Sequence, residues 1–398
     1  MTPDRPRLFF PALDALRGFA ALSVLVYHVI EHTKWTDFPG GNHWPMLWFR
    51  VGWLGVDLFF VLSGTVIGLS AYSLIQQYGP NAFRIPFMWR RMLRIAPLYY
   101  LTIILYVVFL IPTLVLDESF WRNTLSHLFF VHNISQATHG SVNGVNWSIG
   151  VEMQFYVFMV LLSPYIFRPR GWMILVAMVG GAWAWRLAMF HMVGEKGVYD
   201  LFFASTQLPG TLDEFAIGIL ISIFVRSDLF QRILREMTFV KLAIFAGGVC
   251  VFVAVMHFLT VFNVWGTFWS SPYNLLFGRY FIGIAFGALV IAACVVTNPR
   301  VIALIAPLRF FGTISYGLYL WHLLVIMSYK QYEWIPHGTM LAITLTITII
   351  LATISWYFFE KPILDRYARH SFAGVRAGVR ASAPSETPGP QPTVPQGL

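Results

Sequence analysis

Long apolar runs, separated by short polar segments, recur along the chain to about residue 360. Most contain about 17–25 residues, the length that an α-helix needs to cross the hydrocarbon core of a membrane. The pattern predicts an all-α, polytopic membrane protein with about ten transmembrane helices. The first run lacks a small-residue cleavage site, so we expect a retained helix rather than a cleaved signal peptide. The predicted helices cover residues 13–32, 51–73, 92–116, 147–167, 172–193, 205–225, 240–262, 277–297, 312–329 and 338–359.

The first predicted helix, LDALRGFAALSVLVYHVIEH, carries ionisable residues. Arg17 and His28 are eleven residues apart. At ~100° per residue they share one helix face and lie ~16 Å apart along the axis. Asp14 falls on the same face, three residues before Arg17, so one polar line is predicted along this helix. Ionisable groups are costly inside a membrane and are candidate functional residues, although basic side chains at helix ends also reach out to lipid headgroups.

The composition agrees with a membrane protein and narrows its chemistry. The chain is 57% hydrophobic and 11% charged, whereas soluble domains carry about 25% charged residues. Aromatic residues make up 17%, which suits interfacial belts. Both cysteines, Cys250 and Cys294, lie in apolar runs and indicate neither a disulfide framework nor a metal site. The segment from His28 to His32 formally matches an inverted zinc-peptidase motif, but no clear third ligand follows, and we expect no metal.

The basic residues indicate orientation rather than nucleic-acid binding, despite a net charge of +9. With a cytoplasmic N-terminus, 20 of the 27 lysines and arginines fall in cytoplasmic segments and 5 in outer ones. This asymmetry is the positive-inside pattern, so both termini are predicted to be cytoplasmic. Residues 1–367 are predicted to form the membrane domain. Residues 368–398 are rich in Pro, Gly and Ser and are predicted to form a disordered cytoplasmic tail near anionic lipid.

Near the cytoplasmic side, several arginines are predicted at one level. Arg17 lies level with the segment WRRMLRIAPLYY, which contributes Arg90, Arg91 and Arg94. Arg91 and Arg94 are one helical turn apart and can be presented together. Several guanidiniums at one mouth suit a ligand that carries several phosphates. Topology alone also places basic residues there, and this alternative stays open.

In the outer half, ionisable residues from five helices fall at similar depth. They are His28, Asp57, Glu152, Arg186, Asp213 and Glu214. Unpaired charges at that depth are costly, so they are predicted to converge on one another or on a wet cavity. Asp213 and Glu214 could instead simply pair with Arg186.

His28 is the candidate general base of this outer group, because imidazole titrates near the working pH. Glu152 or Asp57 is predicted to steady its charged form. Ser63 and Asn146 are candidate donors to a developing oxyanion. His322 is a supporting candidate, with a purely structural role as its alternative.

Six segments, taken in order, resemble the motifs of a known family. LDALRGFAALSVLVYH resembles the opening helix, and GVDLFFVLSG the second-helix motif. RRMLRIAPLYY resembles an Arg-x-x-Arg motif at Arg91 and Arg94, and NWSIGVEMQFY resembles the segment that places Glu152. SYGLYLWH, which ends at His322, and FEKP at 359–362 resemble the last two motifs. Roughly residues 8–367 are thus similar to the bacterial membrane-bound acyltransferases of family three, which include O-acetylases of O-antigen, exopolysaccharide, nodulation factors and macrolides.

This resemblance implies an O-acyltransferase of the bacterial inner membrane. The donor would be an acyl-CoA, usually acetyl-CoA, used from the cytoplasm, and the acceptor a hydroxyl of a carbohydrate or glycolipid. His28 would be the catalytic base, Arg17 its partner on the same helix, and Glu152 a catalytic or orienting acid. The donor would be bound by Arg91 and Arg94, with Arg90 beside them. Some relatives end in a soluble hydrolase-like domain; without one, acceptor handling is expected to rely on the membrane domain or on a separate periplasmic protein.

Other functions stay open on the sequence alone. A proton-coupled transporter or flippase of glycans or lipids would also carry intramembrane His, Asp, Glu and Arg. Helices broken within the membrane would favour it, and no matched Gly or Pro breaks are visible. A receptor or scaffold has less use for so many intramembrane charges. We expect direct acyl transfer, because no strong nucleophile signature is present. The acceptor, the acyl chain length and the oligomeric state stay open.

Overall fold

A computed structural model describes residues 8–40, 45–193, 197–262, 265–332 and 334–367, and the regular structure within these ranges is helical. The predicted tail, residues 368–398, lies outside them. Short 3₁₀ or π turns lie at Gly52–Leu54, Pro112–Leu116, Asn274–Gly278 and Trp356–Glu360. The α-helices are α1 (Pro11–His32), α2 (Leu47–Arg50), α3 (Gly55–Ala82), α4 (Arg84–Phe109), α5 (Phe120–Leu128), α6 (Trp147–Ile166), α7 (Trp172–Val193), α8 (Val198–Ser205), α9 (Leu208–Phe224), α10 (Asp228–Glu236), α11 (Thr238–Phe262), α12 (Trp265–Ser270), α13 (Arg279–Cys294), α14 (Pro299–Leu304), α15 (Ala306–Thr313), α16 (Ser315–Tyr329) and α17 (His337–Ser355).

The transmembrane helices agree in number and type with those predicted from the apolar runs. Among the described residues, eight helices are long and apolar enough to cross a membrane, and two bent helix pairs raise the number to ten if each pair is one span. The all-α, polytopic fold is therefore confirmed, while the orientation of the termini stays a prediction. The third span is shifted from its predicted range of 92–116, because α4 begins at Arg84 and ends at Phe109.

Two spans are broken, and Gly or Pro lies beside each break: Pro209 and Gly210 follow the first, and Gly312 lies two residues before the second. α8 and α9 meet at 53° across residues 206–207, and α15 and α16 meet at 70° at Ile314. The predicted helices 205–225 and 312–329 each include one of these bends near the start, and the bends themselves were not predicted. Non-helical backbone at membrane depth is stable only where protein or water satisfies its polar groups. Both breaks therefore mark polar regions of the bundle rather than surfaces in contact with lipid.

α1 lies inside the bundle and packs against α3, α13, α15, α16 and α17. Its crossing with α15 is very close. A Cβ added at Gly312 would overlap the carbonyl oxygen of Asp14, and one added at Gly18 would overlap that of Leu308. Small residues allow helix backbones to approach in this way within membranes. The crossing holds the polar start of α1 beside the break between α15 and α16.

The connection between α4 and α6 folds inward and buries several polar side chains. His132 is fully buried; its Nε2 lies 2.9 Å from the carbonyl oxygen of Asn146, and its Nδ1 lies 3.2 Å from the hydroxyl of Tyr99. A carbonyl can only accept, so Nε2 carries the proton and Nδ1 accepts from the tyrosine. Burial, with His127 nearby, lowers the pKa of His132 to about 3. The ring is therefore neutral and serves as a fixed structural link beneath the start of α6.

Candidate active site

Arginines from three helices meet at the end of the bundle where α1 and α4 begin. Arg17 of α1 interacts electrostatically with Arg91 and Arg94 of α4, and Arg309 of α15 interacts with Asp14. The Nε atoms of Arg91 and Arg309 are buried without a protein partner. Unpartnered guanidinium donors in a region of excess positive charge favour an anionic ligand. The predicted group of arginines does come together here, and Arg309 joins it without having been predicted.

Arg94 is held more rigidly than its neighbours. Its Nη1 donates to Oε2 of Glu360 at 2.7 Å. Its guanidinium also lies over the rings of Trp356 and Tyr316, at 4.9 and 5.7 Å. An ion pair and two cation–π contacts fix the direction of its remaining donors. Glu360 belongs to the FEKP segment, whose likeness to a family motif was the available signal for it. Arg90 is a further electrostatic neighbour of Arg91 on the same helix.

A polar stripe runs along α6. Ser148, Glu152 and Tyr156 are spaced four residues apart and therefore share one face of the helix. Oε1 of Glu152 accepts hydrogen bonds from the Ser63 hydroxyl at 2.7 Å and the Tyr156 hydroxyl at 2.8 Å. The guanidinium of Arg91 lies 5.8 Å from the centre of the Tyr156 ring. The stripe therefore connects the arginines with the middle of the bundle, and its spacing alone could have revealed it.

The stripe continues on α16 towards the other end of the bundle. Oγ of Ser148 lies 2.6 Å from the Tyr319 hydroxyl, which also donates to the carbonyl of Val145 at 3.0 Å. Tyr319 precedes His322 by three residues, and their ring centres are 5.8 Å apart. His322 in turn reaches His28 of α1, with Nε2 and Nδ1 3.1 Å apart.

The hydrogen bonds of the two histidines define their proton positions. Nδ1 of His322 lies 3.1 Å from the carbonyl oxygen of Leu318. Because the carbonyl only accepts, this nitrogen carries the proton, and Nε2 of His322 presents a lone pair. Nδ1 of His28 must then donate to that lone pair, which leaves Nε2 of His28 as the basic nitrogen. The pair thus places a free base on a partly exposed ring at the end of α1.

We call this series of side chains the polar track; its members are Arg91, Tyr156, Glu152, Ser63, Ser148, Tyr319, His322 and His28. The track crosses the bundle through α6 and α16 rather than along α1. Between Arg17 and His28, α1 presents the buried aliphatic residues Ala21, Val24 and Leu25. Asp14, Arg17 and His28 do lie on one helix, α1, and side chains of neighbouring helices make the connection between Arg17 and His28.

The structure corrects the predicted partners of His28. The ring of His28 contacts His322. Glu152 accepts hydrogen bonds from Ser63 and Tyr156, and Asp57 accepts one from Arg279. The Ser63 hydroxyl donates to Glu152 in this arrangement, and its predicted role as an oxyanion donor stays a prediction. Asn146, in contrast, has a fully buried side-chain amide whose Nδ2 and Oδ1 both lack a protein partner. Buried polar atoms without partners are rare in proteins and suggest a place kept for a ligand or water.

Asp57 belongs to a second set of charges, which we call the ion cluster: Asp57, Arg186, Asp213, Glu214 and Arg279. Nη2 of Arg279 lies 2.8 Å from Oδ1 of Asp57 and 2.5 Å from Oε1 of Glu214. Arg186 is paired with Asp213, as one of the sequence alternatives proposed, whereas Glu214 is paired with Arg279 instead. Every member is at most 4% exposed. The sequence predicts that these acids lie at the same depth in the membrane as His28. Depth does not specify the direction in which each helix presents its side chains.

Comparison with known proteins identifies the family of the chain. A family model described as "Acyltransferase domain" matches residues 10–360. The chain belongs to this acyltransferase family. It is a multi-span membrane protein, and the family resemblance predicted from its motifs is confirmed. Within the described residues, no group of three or more His, Cys, Asp or Glu side chains could hold a metal ion.

Individual relatives of this acyltransferase domain are bacterial. YrhL of Bacillus subtilis, provisionally named a peptidoglycan O-acetyltransferase, is 28% identical over 89% of the chain and 55% of its own length. The O-acetyltransferase OatA of Staphylococcus aureus is 26% identical over 89% of the chain and 57% of its own length. The peptidoglycan O-acetyltransferase OatA of Listeria monocytogenes is 25% identical over 93% and 58%. The chain therefore spans somewhat over half the length of these relatives. No solved structure matches.

Proposed function

We propose that the chain is a membrane O-acyltransferase of the bacterial inner membrane that moves an acyl group, in the first instance acetyl, from acyl-CoA to a hydroxyl of a carbohydrate acceptor. The observation that carries this proposal is the polar track, which joins a cluster of arginines at one end of the bundle to a basic histidine nitrogen at the other. Family membership and the names of the relatives support the reaction class.

The arginine end suits the donor. Coenzyme A carries several phosphates, and guanidinium groups bind phosphates with paired hydrogen bonds. Arg17 and Arg91 would bind these phosphates, while Arg94, fixed by Glu360, would orient them. The break between α15 and α16 lies beside this end and would admit the polar part of the donor. The flexible arm of the donor would then extend along the track and carry the thioester towards His28.

The histidine pair suits removal of a proton from the acceptor. Nε2 of His28 would take the hydroxyl proton while the hydroxyl oxygen forms a bond to the thioester carbonyl carbon. The carbon–sulfur bond then breaks, and the coenzyme A thiolate receives the proton back from Nε2. His322 acts through His28 as a positioning residue, because its lone pair at 3.1 Å fixes the tautomer and direction of the base. Transfer is direct and needs no covalent acyl-enzyme.

The oxyanion formed on the way needs a hydrogen-bond donor. The unpartnered amide of Asn146 is the candidate donor, because its Nδ2 is buried and makes no hydrogen bond to protein. Glu152 would act by holding the hydroxyls of Ser63 and Tyr156, and through them the shape of the track, rather than by contacting His28.

The acceptor is proposed to be a glycan. Two of the relatives carry peptidoglycan in their names, so a β-1,4-linked N-acetylhexosamine strand is the first acceptor to examine. With the cytoplasmic N-terminus predicted from the basic residues, His28 lies at the outer end of α1, on the side where cell-wall glycans are found. A further periplasmic protein could complete delivery to the final acceptor.

A proton-coupled transporter or flippase is the second candidate, and one observation favours it. Both broken spans resemble the discontinuous helices that bind substrates in transporters. A transporter would leave the thioester intact, whereas the proposed enzyme would release free coenzyme A in step with acylation of the glycan.

The deciding experiment uses the purified full chain in lipid nanodiscs with acetyl-CoA and chitotetraose. Free thiol and acetylated tetrasaccharide are measured for the native protein, His28→Ala and a matched histidine control, His191→Ala, whose exposed ring lies at the end of α7. We expect equal amounts of thiol and acetylated sugar from the native protein and the control, and none above background from His28→Ala. Full activity in His28→Ala would refute the assignment of the base. Absence of thiol release from the native protein with any glycan would refute the acyltransferase proposal.

A further inference from the structure

A cavity of about 510 Å³ opens between α7 and the broken pair of α8 and α9. It is distinct from the polar track. The C-terminal end of α7 and the N-terminal end of α9 form its walls, together with the turn that precedes α6. If successive spans alternate in direction, these ends lie on the same side of the membrane as His28. The side chains that matter for its chemistry are Gln136, Gln154, Trp185, Asp200, Phe203 and Gln207.

The polar walls of the cavity are held in place by hydrogen bonds that use mainly amide nitrogens. Nε2 of Gln154 donates to Oδ1 of Asn133 at 2.7 Å, and Nε2 of Gln136 donates to Oδ1 of Asp200 at 2.7 Å. Gln207 donates to the backbone carbonyl of Asn133 at 2.7 Å. The amide oxygens of Gln136 and Gln154 accept none of these hydrogen bonds. The polar part of the wall is therefore fixed and retains hydrogen-bond acceptors.

An aromatic face completes the lining. Nε1 of Trp185 donates to the carbonyl of Ala204 at 2.8 Å, which fixes the indole plane against α8. A Cβ added at Gly210 would lie 3.0 Å from the Trp185 ring, so the ring is also packed against the start of α9. Phe203 lines the same cavity. The lining therefore combines a fixed aromatic ring with fixed polar groups.

The break between α8 and α9 gives a polar edge to this cavity, in which eight of the twelve lining residues are apolar. The break lies at residues 206–207, and Gln207 itself lines the cavity. Backbone that leaves the helix at membrane depth is tolerated next to water or protein, and not in contact with hydrocarbon. The volume is also within the range of sites that bind small molecules, about 300–1,000 Å³.

The described lining residues offer no positive charge to an anionic ligand such as a nucleotide. Among the described lining residues, Asp200 is the ionisable side chain, and no arginine or lysine accompanies it. Hydroxyl groups, which donate to amide carbonyls and carboxylates, match the acceptors on the polar wall. The C–H faces of a sugar ring match the indole plane.

We propose that this cavity is a binding subsite for a neutral sugar unit of the acceptor glycan. This inference rests on the proposed function, because it assumes that a glycan is the acceptor. Trp185 would stack on the sugar ring, and Gln154 and Asp200 would accept hydrogen bonds from its hydroxyl groups. The subsite selects an extended glycan over a monosaccharide and touches none of the reacting atoms.

The test is binding of chitotetraose to the full chain in phospholipid nanodiscs, followed by saturation-transfer-difference NMR. Maltoside detergents are avoided because they present sugars of their own. We expect Trp185→Ala to weaken binding about tenfold. Gln154→Leu, which removes one acceptor, should weaken it severalfold. The matched control is Trp172→Ala, an exposed tryptophan at the opposite end of the same helix, which should bind like the native protein.

Several outcomes separate this inference from the proposed function. His28→Ala should bind chitotetraose normally while failing to acetylate it. Sugar binding without any acetyl transfer would leave the subsite standing and refute the acyltransferase. Acetyl transfer that is unaffected by the two cavity variants would refute the subsite alone. If Trp185→Ala does not fold, Gln136→Ala at the exposed rim provides the same comparison, and unchanged binding in it and in Gln154→Leu would overturn the subsite.

Discussion

The polar track and the ion cluster place a similar set of charged residues inside one membrane domain, but they differ in pairing and exposure. In the ion cluster, each guanidinium faces carboxylates, and no member is more than 4% exposed. Both sets contain buried polar atoms without a protein partner: Nε of Arg91 in the track, and Nε and Nη1 of Arg186 with Oε2 of Glu214 in the cluster. Along the track, however, Glu152 and His28 are partly exposed. Charges paired in a fully buried cluster hold helices together, whereas partly exposed groups are available to a ligand.

This difference explains why intramembrane charge alone is an ambiguous sign of function. Asp57 and Glu152 lie at similar depths, yet Asp57 joins α3 to α13 through Arg279, and Glu152 organises the track. The close crossing of α3 and α9, in which a Cβ at Gly64 or Gly218 would overlap the opposite backbone, brings the acids of both helices to Arg279. The ion cluster is accordingly expected to govern stability, and the track is expected to govern activity.

The largest effect is expected in the ion cluster. Arg279→Met leaves Asp57 and Glu214 buried without their cation, and removal of one partner from a buried ion pair costs about 3–5 kcal/mol. We expect a large loss of folded protein in a detergent thermal-shift assay, with acyl transfer per folded molecule unchanged. The triple variant Asp57→Asn, Glu214→Gln, Arg279→Met should recover part of the lost stability. If Arg279→Met instead keeps its stability and loses only its activity, the cluster serves the reaction.

His322 should give the opposite result. His322→Phe retains the ring volume but removes the lone pair that orients His28. We expect the catalytic rate constant to fall about 10- to 100-fold, less than the roughly 10²–10⁴-fold that a general base itself contributes, because His322 acts only through His28. The melting temperature should change little. His322→Gln can still offer a hydrogen-bond acceptor and should recover part of the rate. An equal rate and an unchanged pH profile in His322→Phe would mean that this residue only fills space.

Arg91 should affect binding of the donor. Arg91→Gln removes a guanidinium at the mouth of the track, and we expect the KM for acetyl-CoA to rise about tenfold, since charge-assisted hydrogen bonds contribute about 1.5–3 kcal/mol. The rate at saturating donor should change little. Arg232→Gln, on the surface helix α10, is the matched arginine control. A KM that stays constant in Arg91→Gln would place the donor elsewhere.

The smallest effect concerns pH. Burial lowers the pKa of His139 to about 4, below the ordinary value of 6.5. A histidine that is neutral when folded stabilises the protein above the unfolded pKa, and this contribution is lost as the pH falls from about 6.5 towards 4. His139→Phe retains the stacking on Trp147 and cannot titrate. We expect its melting temperature to decrease less than that of the native protein between pH 7 and pH 4.5, while His191→Phe should retain the native slope.

Much of the fold could be predicted because membrane spans follow from hydropathy, and the arginines could be grouped because their spacing on α4 is helical. The breaks at residues 206–207 and at Ile314 were not predicted although Pro209, Gly210 and Gly312 lie beside them, because Pro also occurs inside continuous helices, as Pro97 does in α4 and Pro164 in α6. The partners of the charged side chains could not be predicted either, because they lie far apart in the sequence: Arg94 and Glu360 are 266 residues apart. The four-residue spacing of Ser148, Glu152 and Tyr156 is visible in the sequence and predicts the stripe on α6. Comparing membrane depths alone did not reveal this part of the track.

The central claim is that an acyl-CoA bound at the arginine end serves an acceptor at the histidine end. The most direct test uses proteoliposomes in which the chain has one orientation, with chitotetraose enclosed on the His28 side. We predict that acetyl-CoA supplied only on the Arg91 side produces acetylated sugar inside the vesicle and free thiol outside. Acetylation that requires acetyl-CoA on the same side as the sugar would contradict a track that carries the acyl group across the membrane.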